Sequence, residues 1–124
     1  MIDDSPGGEI DTFRSFYAAL KNSRVPVILR GICVSACTLI LMLPNSQVCV
    51  EPTALLGFHL ASDGSGTPLP EYTEALIRRL YPKAIRDWLK GQVLTIEHIL
   101  WMPADEIVQL GVFSPCAPGS APPQ

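Results

Sequence analysis

Ser35 divides two apolar runs, and the bend it marks constrains the fold more than any other feature of the chain. Ahead of it, Val25-Pro26-Val27-Ile28-Leu29 is a short β-branched stretch that reads as a buried strand over residues 25–29. Behind it, residues 36–43 are apolar except for Thr38 and are stopped by Pro44, a pattern that predicts a buried helix. A chain passing from strand to helix within so few residues must turn sharply. The Ser35 hydroxyl is therefore expected at the carboxyl end of a sheet, beside the unpaired N–H groups of a helical first turn. That placement suits an acyl-transfer nucleophile, which needs an exposed oxygen next to donors for the developing oxyanion. Serine is also a favoured N-cap, so the position alone does not separate chemistry from structure.

The 124 residues suffice for one domain with a real core. A hydrophobic content of 48% and a mean hydropathy of +0.26 argue for a well-buried chain and against disorder. The net charge of −3 and pI near 5.2 offer no basic surface for nucleic acid or anionic lipid. No apolar run approaches the roughly 20 residues that span a bilayer, so no membrane span is expected. Four cysteines permit two bridges in any of three pairings, or four free thiols. Without a recognisable secretory leader, they do not by themselves assign a compartment. Met1-Ile2-Asp3-Asp4 runs directly into a turn, leaving no room for a preceding βα unit, which reads either as an abrupt start at a strand end or, in preference, as a missing upstream portion.

Ser5-Pro6-Gly7-Gly8 is that turn. A helix follows in which Ile10, Phe13, Tyr17 and Leu20 share a face, with Glu9 and Asp11 at its start and Lys21 and Arg24 at its end. Strands are expected at residues 47–50 and 54–59, the second ending in His59. Short connections between strand, helix and strand imply an α/β sheet with a parallel component. Residues 62–70, rich in Gly, Ser and Pro, read as a mobile surface loop. Pro70 opens a helix with Tyr72, Leu76 and Leu80 on one face, and Pro82 breaks it. A short helix carrying Ile85, Trp88 and Leu89 ends at Gly91. Pro103 to Gly111 has proline at its first position, acids in its first turn and glycine past its end, so it is a well-marked helix. Val112-Phe113 is read as a short strand. The domain is thus drawn at residues 1–113, with 114–124 a proline-rich tail expected to be disordered apart from what Cys116 ties down.

Three of these features fall on one predicted sheet edge: the Gly7-Gly8 turn, the Ser35 bend and the strand-terminal His59. A nucleophilic serine needs a base to take its proton and backbone N–H groups facing the tetrahedral oxygen. Gly8 and Ala36 are placed to supply those donors. In order and spacing, Ser5-Pro6-Gly7-Gly8, Gly31-x-x-x-Ser35, Gly57-Phe58-His59 and Trp101-Met102-Pro103-Ala104-Asp105-Glu106 resemble successive motifs of the Clp-type serine peptidase branch of the ClpP/crotonase superfamily. The resemblance covers about residues 3–113. It implies a mostly parallel sheet with flanking helices, N-terminally incomplete in this chain. It makes Ser35 the nucleophile, His59 the general base, and the N–H groups of Gly8 and Ala36 the oxyanion hole. It also implies a peptide or protein substrate, possible homo-oligomers, and no ATP, metal or organic cofactor. The variant Cys33-Val34-Ser35-Ala36-Cys37 is similar to a periplasmic, exported Clp-like subgroup.

The acidic triad member departs from that pattern. Its position falls near Ile99, which cannot orient an imidazole, and Glu97 is the nearest carboxylate, with Asp63 and Asp87 as further candidates. A catalytically silent crotonase-like scaffold or binding module is the alternative that such a gap implies. Cys33 and Cys37 flank the bend and are read as a disulfide that stiffens it, provided their Cα atoms lie about 4.4–6.8 Å apart. Cys49 and Cys116 then pair by elimination. Free thiols remain open, as does zinc held by Cys33, Cys37 and His59, although C-x3-C is not a zinc-ribbon spacing.

Overall fold

The computed structural model describes residues 1–117. Strand β1 (Ile2–Ser5) leads through a turn to helix α1 (Ile10–Ser23) and then to β2 (Val27–Val34). A 3₁₀ helix (Ser35–Met42) and a 3₁₀ turn (Asn45–Gln47) precede β3 (Val48–Val50) and β4 (Leu55–Phe58). Next come α2 (Pro70–Leu80), α3 (Lys83–Lys90), β5 (Leu100–Pro103), α4 (Ala104–Gln109) and β6 (Ser114–Pro115). The fold is α/β with a mixed, six-stranded sheet in the order β5-β4-β2-β3-β6, β1 joining β2 off that path.

β2 organises the sheet. Its Leu29 pairs with both Ile2 and Val50, and its Cys33 with both Ser5 and Leu56. A strand has only two edges, so β1 runs along one of them while β3 and β4 take successive stretches of the other. Between those stretches the Glu51 N–H donates to the Leu29 carbonyl at 2.9 Å and the Gly31 N–H to the Thr53 hydroxyl at 3.3 Å. β1, β3 and β4 all run parallel to β2, and only β5 is antiparallel to its neighbour, β4. On the β1 side the register slips between Asp3 and Ser5. The Asp4 carboxylate fills that irregularity and accepts the Ile32 N–H at 3.1 Å. Gly31 sits against it at φ +67°, where a Cβ would lie 2.1 Å from Asp4 Oδ1, so a side chain has no space there.

Several elements differ from expectation. The strand predicted over residues 25–29 runs on to Val34, because Ile32 to Val34 pair with Leu55 to Gly57. The buried helix is 3₁₀ rather than α, and at eight residues it is long for that geometry. Ala36 to Leu41 are all buried there, so enclosure rather than intrinsic propensity holds the segment. Strand Ser114–Pro115 replaces the one read at Val112-Phe113, whose side chains are instead in the core. β1 and β5 carry no alternating apolar pattern of their own and escape a periodicity reading.

The core gathers Tyr17, Leu29, Ile40, Leu56, Ile85 and Phe113, each at most 1% exposed. α1 buries the predicted face, and α3 buries Ile85 and Leu89 with Trp88 partly covered. α2 is rotated from expectation: Thr73, Ile77 and Leu80 face inward, while Tyr72 is 40% exposed. Buried Thr73 is tolerated because its hydroxyl donates to the Leu69 carbonyl and accepts the Ala61 N–H. Trp88 Nε1 donates to Glu106 Oε1 at 2.6 Å, tying α3 to α4. No helix of the described residues is long and apolar enough to cross a membrane.

Both cysteine pairs are bonded, Cys33 to Cys37 with Cα atoms 5.2 Å apart and Cys49 to Cys116 with Cα atoms 4.7 Å apart. The start of the expected tail thus belongs to the sheet, since Ser114 and Pro115 pair with β3 and Cys116 is bonded beside them. Residues 118–124 of that tail lie outside the described residues. Cys49–Cys116 joins positions 67 residues apart, and the loop-entropy relation gives such a link about 4 kcal/mol, against about 2 for Cys33–Cys37. Replacing Cys49 and Cys116 together by alanine is predicted to lower the unfolding free energy by about 4 kcal/mol in urea titrations; a loss below about 1 kcal/mol would contradict the closure argument.

Candidate functional site

The register of three parallel strands brings the site together. β2 ends at Val34, paired with Gly57 of β4, so Ser35 and His59 emerge from adjacent strand ends. On the opposite edge Ser5 pairs with Cys33, which carries the turn that follows β1 to the same place. Parallel strands share one carboxyl edge, so turn, serine and histidine meet there. Gly8, Ser35 and His59 line one groove of about 280 Å³ with Glu9, Asp11, Ser62 and Tyr72. Ser35, Ala36 and His59 also line an adjoining cavity of about 40 Å³, walled by Leu39, Phe58, Ile77, Leu89 and Leu94.

Ser35 has φ +58°, a left-handed backbone that costs a residue with a Cβ about 1–2 kcal/mol. An ordinary N-cap has extended backbone, and here the N-cap is Val34, at φ −112° and ψ 146°. Ser35 is therefore the first residue of the helix, held in an unfavourable conformation. Gly7, at φ +92°, packs directly on the bend. A Cβ there would lie 2.5 Å from the Val34 carbonyl oxygen, 3.0 Å from Ser35 Cβ and 3.4 Å from the Ala36 nitrogen. Gly7 thus lets the first turn approach the serine, while Gly8 lines the groove.

His59 is half-buried, and its Nδ1 lies 2.7 Å from the Leu60 carbonyl oxygen. A carbonyl only accepts, so Nδ1 carries the proton and Nε2 holds the lone pair of a base. Among the described residues no hydrogen bond joins the Ser35 hydroxyl to His59. The anticipated acid, Glu97, is exposed, lines neither cavity and makes no hydrogen bond to His59. Its segment does run alongside, since the Leu60 N–H donates to the Thr95 carbonyl at 2.9 Å. The other two carboxylates are committed elsewhere. Asp63 accepts the Ser65 hydroxyl and the N–H groups of Ser65 and Thr67, bonds that hold its carboxyl below the usual range and close a turn within its loop. Asp87 is held low by Lys83 and Lys90.

Behind the serine is a set of hydroxyls to which the sequence reading gave no role. The Thr38 hydroxyl, 1% exposed, donates to the Ser35 carbonyl and is hydrogen-bonded to the Tyr81 hydroxyl. Tyr17, fully buried, donates to the Cys37 carbonyl at 2.9 Å. Burial raises both phenols, Tyr81 up to about 12 and Tyr17 beyond the ordinary tyrosine range. Thr38 was visible as the lone polar residue of its run. Nothing in the sequence connected it to Tyr81.

With all four cysteines in disulfides, no thiolate remains for zinc beside His59, and among the described residues no group of three ligating side chains is present. No protein-family model matches the chain, and no curated protein aligns with it significantly.

Two outcomes follow from this geometry. Gly7→Ala combines a left-handed backbone with the contact on the Val34 carbonyl, so it is predicted to cost at least about 1 kcal/mol in urea titrations; an unchanged midpoint would show that the turn yields freely. The buried phenols bind protons more tightly folded than unfolded, so their contribution is complete below pH 10 and is lost as pH rises toward 12. Urea midpoints should fall above pH 10, and Tyr81→Phe should flatten that fall; an equal fall in both chains contradicts the assignment.

Proposed function

We propose that this chain is a serine hydrolase acting on peptide bonds, with Ser35 as nucleophile and His59 as general base. The observation that carries the reading is the left-handed backbone of Ser35 at a strand-to-helix bend, with His59 lining the same groove. Strain at a non-glycine residue persists where the surroundings hold it, and such positions cluster at functional sites. In the proposed reaction Ser35 Oγ attacks the scissile carbonyl while His59 Nε2 takes its proton. The N–H groups of Gly8 and Ala36 stabilise the oxyanion. As the intermediate collapses, the leaving amine receives that proton, and water then releases the acyl group by the same steps in reverse order. The small apolar cavity beside Ser35 suits a small apolar side chain next to the scissile bond.

The Leu60 carbonyl supplies part of what a third triad residue does. It fixes the imidazole tautomer but brings no negative charge to stabilise the imidazolium, so slow turnover is expected. The motif order, the predominance of parallel pairing and the serine following β2 support placing the chain near the Clp-type branch of the ClpP/crotonase superfamily. Its two disulfides support an exported, periplasmic setting, where such bonds persist. A silent scaffold is the second reading, favoured by the exposed Glu97 and the absent serine–histidine bond.

A fluorophosphonate probe separates the two. The intact chain should be labelled on Ser35, Ser35→Ala should take no label, and His59→Ala should react on the order of 10²-fold more slowly. Folded, disulfide-bonded protein that takes no label would leave only the scaffold.

A further inference from the structure

We propose that Tyr81 and Thr38 are positioning residues that aim and polarise the Ala36 N–H, a role that rests on Ser35 being the nucleophile. The Ser35 carbonyl can only accept, so the single Thr38 hydroxyl proton is directed at it. Thr38 Oγ1 then has only lone pairs left for its other partner, and the Tyr81 hydroxyl must be the donor there. The relay therefore has one polarity: Tyr81 O–H to Thr38, Thr38 O–H to the Ser35 carbonyl. That carbonyl belongs to the same planar trans peptide as the Ala36 N–H, and the two groups point in opposite directions along one rigid plane. Pinning the carbonyl fixes where the N–H points. Donation to a carbonyl also draws electron density from its amide, making the N–H a stronger donor through the same cooperativity that runs along hydrogen-bonded chains.

Tyr81 is well placed for this. It sits at the junction of α2 and α3 and stacks edge-on against Phe58 with ring centroids 5.9 Å apart, so its hydroxyl is anchored outside the bend it controls. A Cβ on Gly7 would lie 3.4 Å from the Ala36 nitrogen, so the glycine keeps a side chain off that amide. The left-handed backbone at Ser35 needs such a restraint, because its ψ is the torsion that would otherwise swing this peptide.

The test is the rate of fluorophosphonate labelling at Ser35 in the full chain, with the Ala36 amide proton resonance followed by NMR. Tyr81→Phe and Thr38→Val should each slow labelling about threefold to tenfold, the rate equivalent of one hydrogen bond. The double variant should be no slower than Thr38→Val alone, because both changes break one relay. The Ala36 amide proton should move upfield in both single variants, and Thr38→Ser should restore rate and resonance together, a recovery that lost packing alone would not give. Labelling at the wild-type rate in Tyr81→Phe, which keeps the Phe58 contact, overturns the positioning role even if Thr38→Val fails to fold. A wild-type chain that takes no label overturns the hydrolase reading and this role with it.

Discussion

Hydrogen bonding of β2 on both edges is the constraint on which the rest of the molecule depends. β1 occupies one edge and the β3–β4 segment the other, all running the same way. β1, β2 and β4 therefore finish near one level, and whatever follows each of those three strands is delivered to a common rim. The irregular register beside Asp4 and Gly31 belongs to that delivery. It absorbs the mismatch between β1 and the longer β2, so that the glycine turn reaches Ser35 from the side.

The bend at Ser35 is held from several directions at once. The Cys33–Cys37 disulfide spans it, Tyr17 grips the Cys37 carbonyl from α1, and Thr38 holds the Ser35 carbonyl from within the helix. The Thr38, Tyr81 and Tyr17 hydroxyls each find a partner, which lets a threonine and two phenols lie in a largely apolar surrounding. These restraints offset the conformational cost of one unfavourable backbone. They also explain why the 3₁₀ segment keeps its tight geometry for eight residues.

Much of this was legible in the chain. β-branched residues ahead of Ser35 and the enclosed run behind it reported a strand-to-helix bend, and the α1 face of Ile10, Phe13, Tyr17 and Leu20 followed from helical spacing. Disulfide pairing followed from position and elimination. What escaped depends on contacts between distant segments. β1 and β5 become strands because partners are available, since Asp3 and Asp4 have little strand preference and Trp101 stays exposed. α2 turns Thr73 inward because Ala61 and Leu69 satisfy its hydroxyl, a fact no periodicity of apolar residues contains. The Thr38–Tyr81 link spans 43 residues and joins two side chains that are unremarkable when read alone. A partner for His59 was sought among carboxylates, whereas its Nδ1 is hydrogen-bonded to the neighbouring Leu60 carbonyl.

The clasp between Cys49 and Cys116 bears on how the molecule meets its own kind. β6 is two residues long, ends in a proline without an N–H, and is fastened beside β3 by a covalent bond. A strand that short offers a foreign chain little to pair with, and the link keeps it from lifting away to bare the apolar seam of β3. That side of the sheet is thereby shielded from templated aggregation, a protection that would vanish on reduction while the segment around the serine still held its hydroxyl contacts.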